Sequence, residues 1–388
     1  MGSAISLENS VRCRISGQSF MISSVASLQL LWTIYSSFRI YYEGSNQLVN
    51  IFCLFLLGSW TCIFFVALLA VPLDKKKHLI FFELLYGILL LMALDQGNQQ
   101  SPFWGGYCFR FMGIALPLGI VFSCIQDRRK FLNVITKISY INSIFTIITL
   151  IVFKWKGIIT YDMSLGYALT FSTLFTLNNA FEKKRFSFIL PVISIIVLLL
   201  CASRGALICI FLFSLTKLKF RYILLGGVVL LSFYFLKPIL REMYEQSGYN
   251  IRTIDLLLKE EVHMSGREEI YEKCWEQINE RPWIGNGVAG FRDDEFYPHS
   301  IFLEIWLTFG YIIGSLLNVA ICIIIFRILR ERKDSSLVIY SCFAFGQLLF
   351  SGSLFMSFYF FLCIYGFFAL PAGPCRRAST GNCVGKIA

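Results

Sequence analysis

The chain has 388 residues, 56% of them hydrophobic and including 39 Phe, and carries a formal net charge of +11. That apolar share exceeds the roughly 45–50% of soluble domains, and the excess falls in runs of about 18 residues or more, the length that crosses hydrocarbon as a helix. A soluble enzyme is therefore excluded. So is a nucleic-acid partner, because the basic residues lie in short clusters between apolar runs, which is the positive-inside pattern of membrane proteins.

In chain order, the apolar runs predict transmembrane helices over 20–38, 49–72, 78–94, 103–125, 131–153, 164–181, 187–202, 205–216, 221–237, 301–326, 337–351 and 352–371. The eighth is short, and only Ser351-Gly352-Ser353 separates the last two. The expected fold class is an all-α polytopic membrane protein of about twelve transmembrane helices with one large extracytoplasmic loop. The division expected is residues 1–237 for nine helices, 238–300 for the loop, 301–371 for three more helices and 372–388 for a polar, Gly-rich cytoplasmic tail. Most of the 13 Cys, such as Cys53, Cys201, Cys209, Cys342 and Cys363, lie inside the apolar runs, with Cys274 in the large loop. They read as small buried residues and not as a disulfide framework.

Loop charges orient the helices. Lys75-Lys76-Lys77, Arg128-Arg129-Lys130, Lys183-Lys184-Arg185, Lys217 with Lys219 and Arg221, and Arg327 to Lys333 alternate with basic-poor loops at 39–48, 95–102 and 154–163. The basic set belongs in the cytoplasm. This makes the chain a multi-pass protein with both termini inside. It also places the junction at 202–204, the loop at 238–300 and the start of the tenth helix together on the outer face.

The outer loop carries a helix signal of its own. Ser265-Gly266-Arg267-Glu268 has the capping-box form. Ile270, Tyr271, Cys274, Trp275 and Ile278 then recur at helical spacing, until Pro282 and the Gly285-Asn286-Gly287 turn end the element. Trp275 and Trp283 suit a membrane interface. A second short helix is expected over 254–262.

Four places could carry chemistry. Ser203-Arg204-Gly205-Ala206 interrupts an apolar stretch that runs from Phe188 to Leu215. Arg204 can be a turn residue snorkelling to headgroups or a two-pronged clamp on phosphate. Arg110 enters the fourth span from the outer side about 10 Å deep at 1.5 Å per residue; an Arg there marks either a functional site or an ion pair with another helix. Glu83 reads as a structural partner of Lys77, and Lys137 as a snorkelling side chain. His299, one of three His in the chain, stands at the mouth of the tenth span, either as an inert polar cap or as a general base. Asp293, Asp294 and Glu304 are carboxylates near it that could also take a proton.

The Ser203-Arg204-Gly205-Ala206 junction, followed by Arg267, Trp275, Pro282, Gly285, Gly287, His299, Leu303, Glu304, Gly310 and Gly314, resembles the O-antigen ligase/polymerase superfamily. In that family the helix junction precedes a large periplasmic loop ending in a Pro-His-Asn-like motif; Ser300 stands here where Asn is common. The resemblance implies a GT-C-like enzyme of the bacterial inner membrane with its active site facing the periplasm. It would transfer a glycan from an undecaprenyl-diphosphate-linked oligosaccharide without nucleotide sugar, metal or cofactor. It maps diphosphate binding onto Arg204 and Arg267 and a catalytic or orienting role onto His299; Arg110 as a third diphosphate contact, and Glu304, Asp293 or Asp294 as an alternative base, are read from their chemistry and position and not from the resemblance. Tyr297 to Glu304 looks more like repeat-unit polymerases than ligases, which attach the glycan to lipid A–core. A chain-length regulator and the repeat-unit flippase are the implied protein partners. A flippase is itself the reading from a different class, but no internal repeat of the kind such transporters show is visible.

Overall fold

The computed structural model describes residues 2–42, scattered helical positions between 51 and 69, and residues 114–156, 163–182, 185–200, 203–217, 241–242, 267–288, 290–291, 298–331 and 334–369. At 2–16, 39, 42, 116, 185–186, 204, 356 and 369 it describes the backbone alone. The helices are α1 (Gly2–Tyr42), α2 (Leu116–Ser123), α3 (Arg128–Trp155), α4 (Met163–Glu182), α5 (Ile189–Leu200), α6 (Arg204–Lys217), α7 (Arg267–Glu280), α8 (Ile301–Glu331), α9 (Ser335–Phe350) and α10 (Phe358–Ala369). Short 3-10 turns at Arg185–Phe188 and Leu354–Met356 precede α5 and α10. No strand occurs among the described residues. The spans expected at 78–94 and 221–237, the second loop helix at 254–262 and the tail at 372–388 lie outside the described residues, as do Arg110, Glu83, Asp293, Asp294 and the Ser265-Gly266 half of the capping box.

The bundle is polar inside and apolar outside. Gln29, Ser139, Asn142, Thr146, Ser172 and Thr173 are buried where α1, α3 and α4 meet. The Gln29 side-chain amide donates to the Ile135 carbonyl at 3.2 Å, Ser139 donates to the Gln29 side-chain oxygen at 3.1 Å, and Asn142 donates to the Ser172 hydroxyl at 2.7 Å. Meanwhile Ile141, Ile148, Ile151, Val192, Ile196, Ile312 and Leu316 are exposed, Leu316 at 68%. Water would penalise such an apolar girdle; hydrocarbon does not, and it favours interhelical hydrogen bonds as the glue between helices. Arg128–Trp155 and Ile301–Glu331 are long and apolar enough to cross a bilayer. The chain is an all-α membrane protein.

One end of the bundle is tied by charge. Asp127 caps α3 by accepting from the Lys130 N–H at 2.8 Å, and Asp334 caps α9 by accepting from the Ser336 N–H at 2.9 Å. The Arg128 guanidinium lies 3.7 Å from the Asp334 carboxylate and 4.0 Å from the centre of the Phe122 ring. Two of the basic clusters that orient the chain are thus joined at one end, and the polar breaks between helices gather at the other.

The tenth apolar run differs from expectation. It is not one straight span, because Gly310 has φ 73° and ψ 178°, a conformation open almost solely to glycine. The Asn318 side chain donates to the Phe302 carbonyl at 3.3 Å, although sixteen residues of straight helix would separate them by about 24 Å. Trp306 Nε1 donates to the Ser315 hydroxyl at 3.0 Å. The stretch Ile301–Phe309 therefore folds back along the first turns of Tyr311–Glu331. The latter part alone is about 31 Å long at 1.5 Å per residue, enough to span the hydrocarbon by itself.

The hairpin is locked by the turn that follows α7. The Tyr311 N–H donates to the Pro282 carbonyl at 2.6 Å, the Asn286 N–H to the Leu307 carbonyl at 2.6 Å, and the Gly287 N–H to the Thr308 carbonyl at 3.1 Å. Helix α7 ends before Pro282, as its sequence signals predict. It buries Ile270, Cys274 and Ile278 against Phe291, Leu303 and Leu307.

Candidate active site

The junction between α5 and α6 is a tight corner. The Ser203 N–H donates to the Leu198 carbonyl at 3.2 Å, and the Ser203 carbonyl accepts from the Leu207 N–H at 3.2 Å. One residue thus ends one helix and begins the next. Arg204 is the first residue of α6. The corner presses onto the start of α4: a methyl group at Gly166 would overlap the Ser203 hydroxyl, and one at Gly205 would overlap the Tyr167 hydroxyl and approach Phe350 Cβ at 3.8 Å. Small residues at both positions let the two helix ends approach this closely.

Phe350 is the last residue of α9, and the segment after it forms the other wall. Ser351, Gly352, Ser353 and Ser357 line a cavity of about 240 Å³ together with Tyr167 and Gln347. Glu304 stands behind that wall, 4% exposed. Its carboxylate accepts from the Ser353 hydroxyl and from the Leu354 N–H, the latter at 2.6 Å. A buried carboxylate is costly without such donors, and these two fix its orientation. The fold-back of Ile301–Phe309 is what brings Glu304 to the break between α9 and α10.

His299 lies in the loop before α8, 9% exposed, with φ 53°. A left-handed backbone at a residue with a Cβ costs about 1–2 kcal/mol, and such strain is typical of positions held in place for a task. Burial, then the positive charge of Arg267, push its pKa down from 6.5 to about 4, so the imidazole is neutral at pH 7. Arg267, the first residue of α7, is therefore close enough to act on His299 electrostatically.

The structure thus brings Glu304 to the Ser353 break, a contact the sequence did not suggest, and sets His299 near Arg267. Through Tyr167 and Phe350 it joins the Arg204 corner to the same cavity wall. Arg110 lies outside the described residues. Among the described residues no group of three or more His, Cys, Asp or Glu side chains is placed to hold a metal ion.

Sequence reasoning missed Ser353, Ser357, Gln347 and Tyr167. The Ser351-Gly352-Ser353 run signals a break, but its contact with Glu304 depends on a hairpin that hydropathy does not reveal.

Residues 189–318 match a family model described as O-antigen ligase. The match begins at the first residue of α5 and ends at Asn318, whose side chain closes the hairpin onto Phe302. No curated protein matches the chain, and no solved structure does.

Proposed function

We propose, from the match of residues 189–318 to a family model described as O-antigen ligase, that this membrane protein is a repeat-unit polymerase. It moves a glycan from an undecaprenyl-diphosphate carrier onto another lipid-linked repeat unit at the periplasmic face of the inner membrane. The observation that carries the reading is the Glu304 carboxylate, held by Ser353 and Leu354 beside a cavity that the Arg204 corner flanks.

In this reading the leaving group is a diphosphate, which departs readily once its charge is neutralised. Arg204 and Arg267 supply the guanidinium groups, whose planar forks suit phosphate, and Arg110 adds a third. The acceptor hydroxyl oxygen attacks the anomeric carbon from the face opposite the diphosphate, so the configuration inverts. The new C–O bond forms as the bond to the diphosphate oxygen breaks with its electron pair. The hydroxyl proton passes to Glu304 or to neutral His299, as general-base catalysis requires. Three positively charged groups at the leaving oxygens and a positioned base account for the transfer without a bound metal.

A gel of surface polysaccharide tests this. Deleting a polymerase leaves lipopolysaccharide capped with a single repeat unit, and Arg204→Ala, Arg267→Ala or His299→Ala should copy that pattern while the protein still inserts. Bare core with accumulating lipid-linked polymer would identify a ligase. A repeat unit stalled on the cytoplasmic leaflet would identify a flippase. Normal banding from Arg204→Ala removes the diphosphate assignment.

A further inference from the structure

We infer that the Trp283-Ile284 tip of the turn after α7 is a lipid-binding foot. It enters the interfacial layer of the bilayer and anchors the hairpin lock to the membrane surface. The inference stands on the membrane fold and not on the glycosyl-transfer reading.

The tip presents two adjacent large apolar side chains to the outside. Trp283 is 68% exposed and Ile284 is 66% exposed. The backbone on both sides of them is nevertheless firmly held. The Pro282 carbonyl accepts from the Tyr311 N–H, the Gly285 N–H donates to the Arg281 carbonyl at 2.9 Å, and the Asn286 N–H donates to the Leu307 carbonyl. A Cβ on Gly285 would come within 2.6 Å of the Gly310 nitrogen, so the turn packs backbone against backbone. A rigid turn therefore holds both side chains out, where water would penalise them.

Continuity with the apolar girdle identifies lipid as the occupant. Gly310 opens the spanning part of α8, and a Cβ on it would meet the Trp283 carbonyl oxygen at 2.7 Å. Ile312, Ile313 and Leu316, in the first two turns after it, are exposed and head the lipid-facing side of that helix. Exposed apolar surface thus passes from the spanning helix onto the turn at the level where hydrocarbon gives way to headgroups. Trp is favoured at that level, because its ring is apolar and its N–H is polar.

Charge confines insertion to the tip. Glu272, Glu276 and Glu280 are exposed along α7, and their spacing of four puts them in one stripe. That stripe lies opposite the face made by Ile270, Cys274 and Ile278, which packs on the hairpin. Carboxylates in hydrocarbon are costly, so the body of α7 stays in water while the turn at its end meets lipid. The anchored turn also bonds to Leu307 and Thr308, on the same short arm of the hairpin as Glu304. Lipid at the tip thereby helps hold that arm at a fixed height beside the α9–α10 break.

The test uses the purified full chain in nanodiscs of phosphatidylethanolamine and phosphatidylglycerol. The Trp283 signal is taken as wild-type fluorescence minus that of Trp283→Phe. Lipids brominated near the glycerol end of the acyl chains should quench it strongly, and lipids brominated near the bilayer centre weakly. Ile284→Cys should react with a charged maleimide about tenfold slower than Glu276→Cys, because a thiol in apolar surroundings yields less thiolate. In the Trp283→Ser, Ile284→Ser double variant, hydrogen exchange at the Asn286 and Gly287 amides should quicken several-fold. No quenching with equal labelling rates would place the tip in water and overturn the inference. Slow labelling without quenching would also overturn it, by showing that protein and not lipid covers the tip. Unchanged amide exchange in the double variant would refute the anchoring role. Transfer activity enters none of these readings, so they stand or fall apart from the proposed reaction.

Discussion

Gly310→Ala tests the hairpin on which the position of Glu304 depends. A Cβ at this residue would come within 2.6 Å of the Pro282 carbonyl oxygen and 2.7 Å of the Trp283 carbonyl carbon, both rigid backbone. Its φ of 73° with ψ of 178° costs a residue with a side chain about 1–3 kcal/mol in strain alone. Relieving the clash separates the Pro282–Gly287 turn from the hairpin and endangers the hydrogen bonds from Tyr311, Asn286 and Gly287, each worth about 1 kcal/mol net. A combined loss of about 3 kcal/mol raises the population with the turn undocked on the order of 100-fold. Cys274, fully buried on α7 beneath this contact, reports the opening. An impermeant maleimide added from outside, with the Cys274 peptide quantified by mass spectrometry and Cys274→Ser as control, should label the variant on the order of 100-fold faster if reclosing outpaces reaction. A Gly310→Ala protein that inserts normally and labels at the wild-type rate would refute the hairpin lock.

Two further outcomes are expected. With the His299 pKa lowered to about 4 by burial and then by Arg267, the imidazole stays neutral as pH falls from 7 to 5. Transfer that uses His299 as its base should lose it only as pH nears 4, and native stability should decline between 6.5 and 4 because the unfolded chain takes up the proton first. Arg267→Gln removes the smaller cause, so the acid limb of its pH–rate profile should shift upward yet stay below 6.5; a wild-type acid limb already at 6.5 would contradict this. Asp334→Ala removes both the α9 cap and the partner of Arg128, which should cost about 2–4 kcal/mol. Asp334→Asn keeps the cap and should recover part of that loss, and the Arg128→Ala, Asp334→Ala double variant should melt higher than the sum of the two single losses predicts. Strict additivity would show that the pair is not coupled.

Where an element is decided by local pattern, its boundaries were legible before any coordinates. The runs 131–153, 164–181, 205–216 and 337–351 become Arg128–Trp155, Met163–Glu182, Arg204–Lys217 and Ser335–Phe350, because hydrocarbon forces each apolar run to satisfy its own backbone as helix. The loop helix Arg267–Glu280 followed likewise from its period and from Pro282. The candidate site residues Arg204, Arg267, His299 and Glu304 stood out because charge next to apolar runs needs a reason.

What hydropathy left undecided was direction within an apolar run. Ile301–Phe309 and Tyr311–Glu331 are equally apolar, and the reversal between them turns on one positive φ at Gly310 and on three backbone hydrogen bonds from a loop about 25 residues earlier. Sequence alone determined that this chain is a helical membrane protein and which charged residues interrupt its apolar runs, since transfer free energy is summed residue by residue along the chain. Tertiary structure alone decided that Glu304 meets Ser353, that the Gly205 corner packs on Tyr167, and that Tyr167 and Gln347 line one cavity. Those are contacts between residues tens to well over a hundred positions apart, and they exist only once the helix ends have packed.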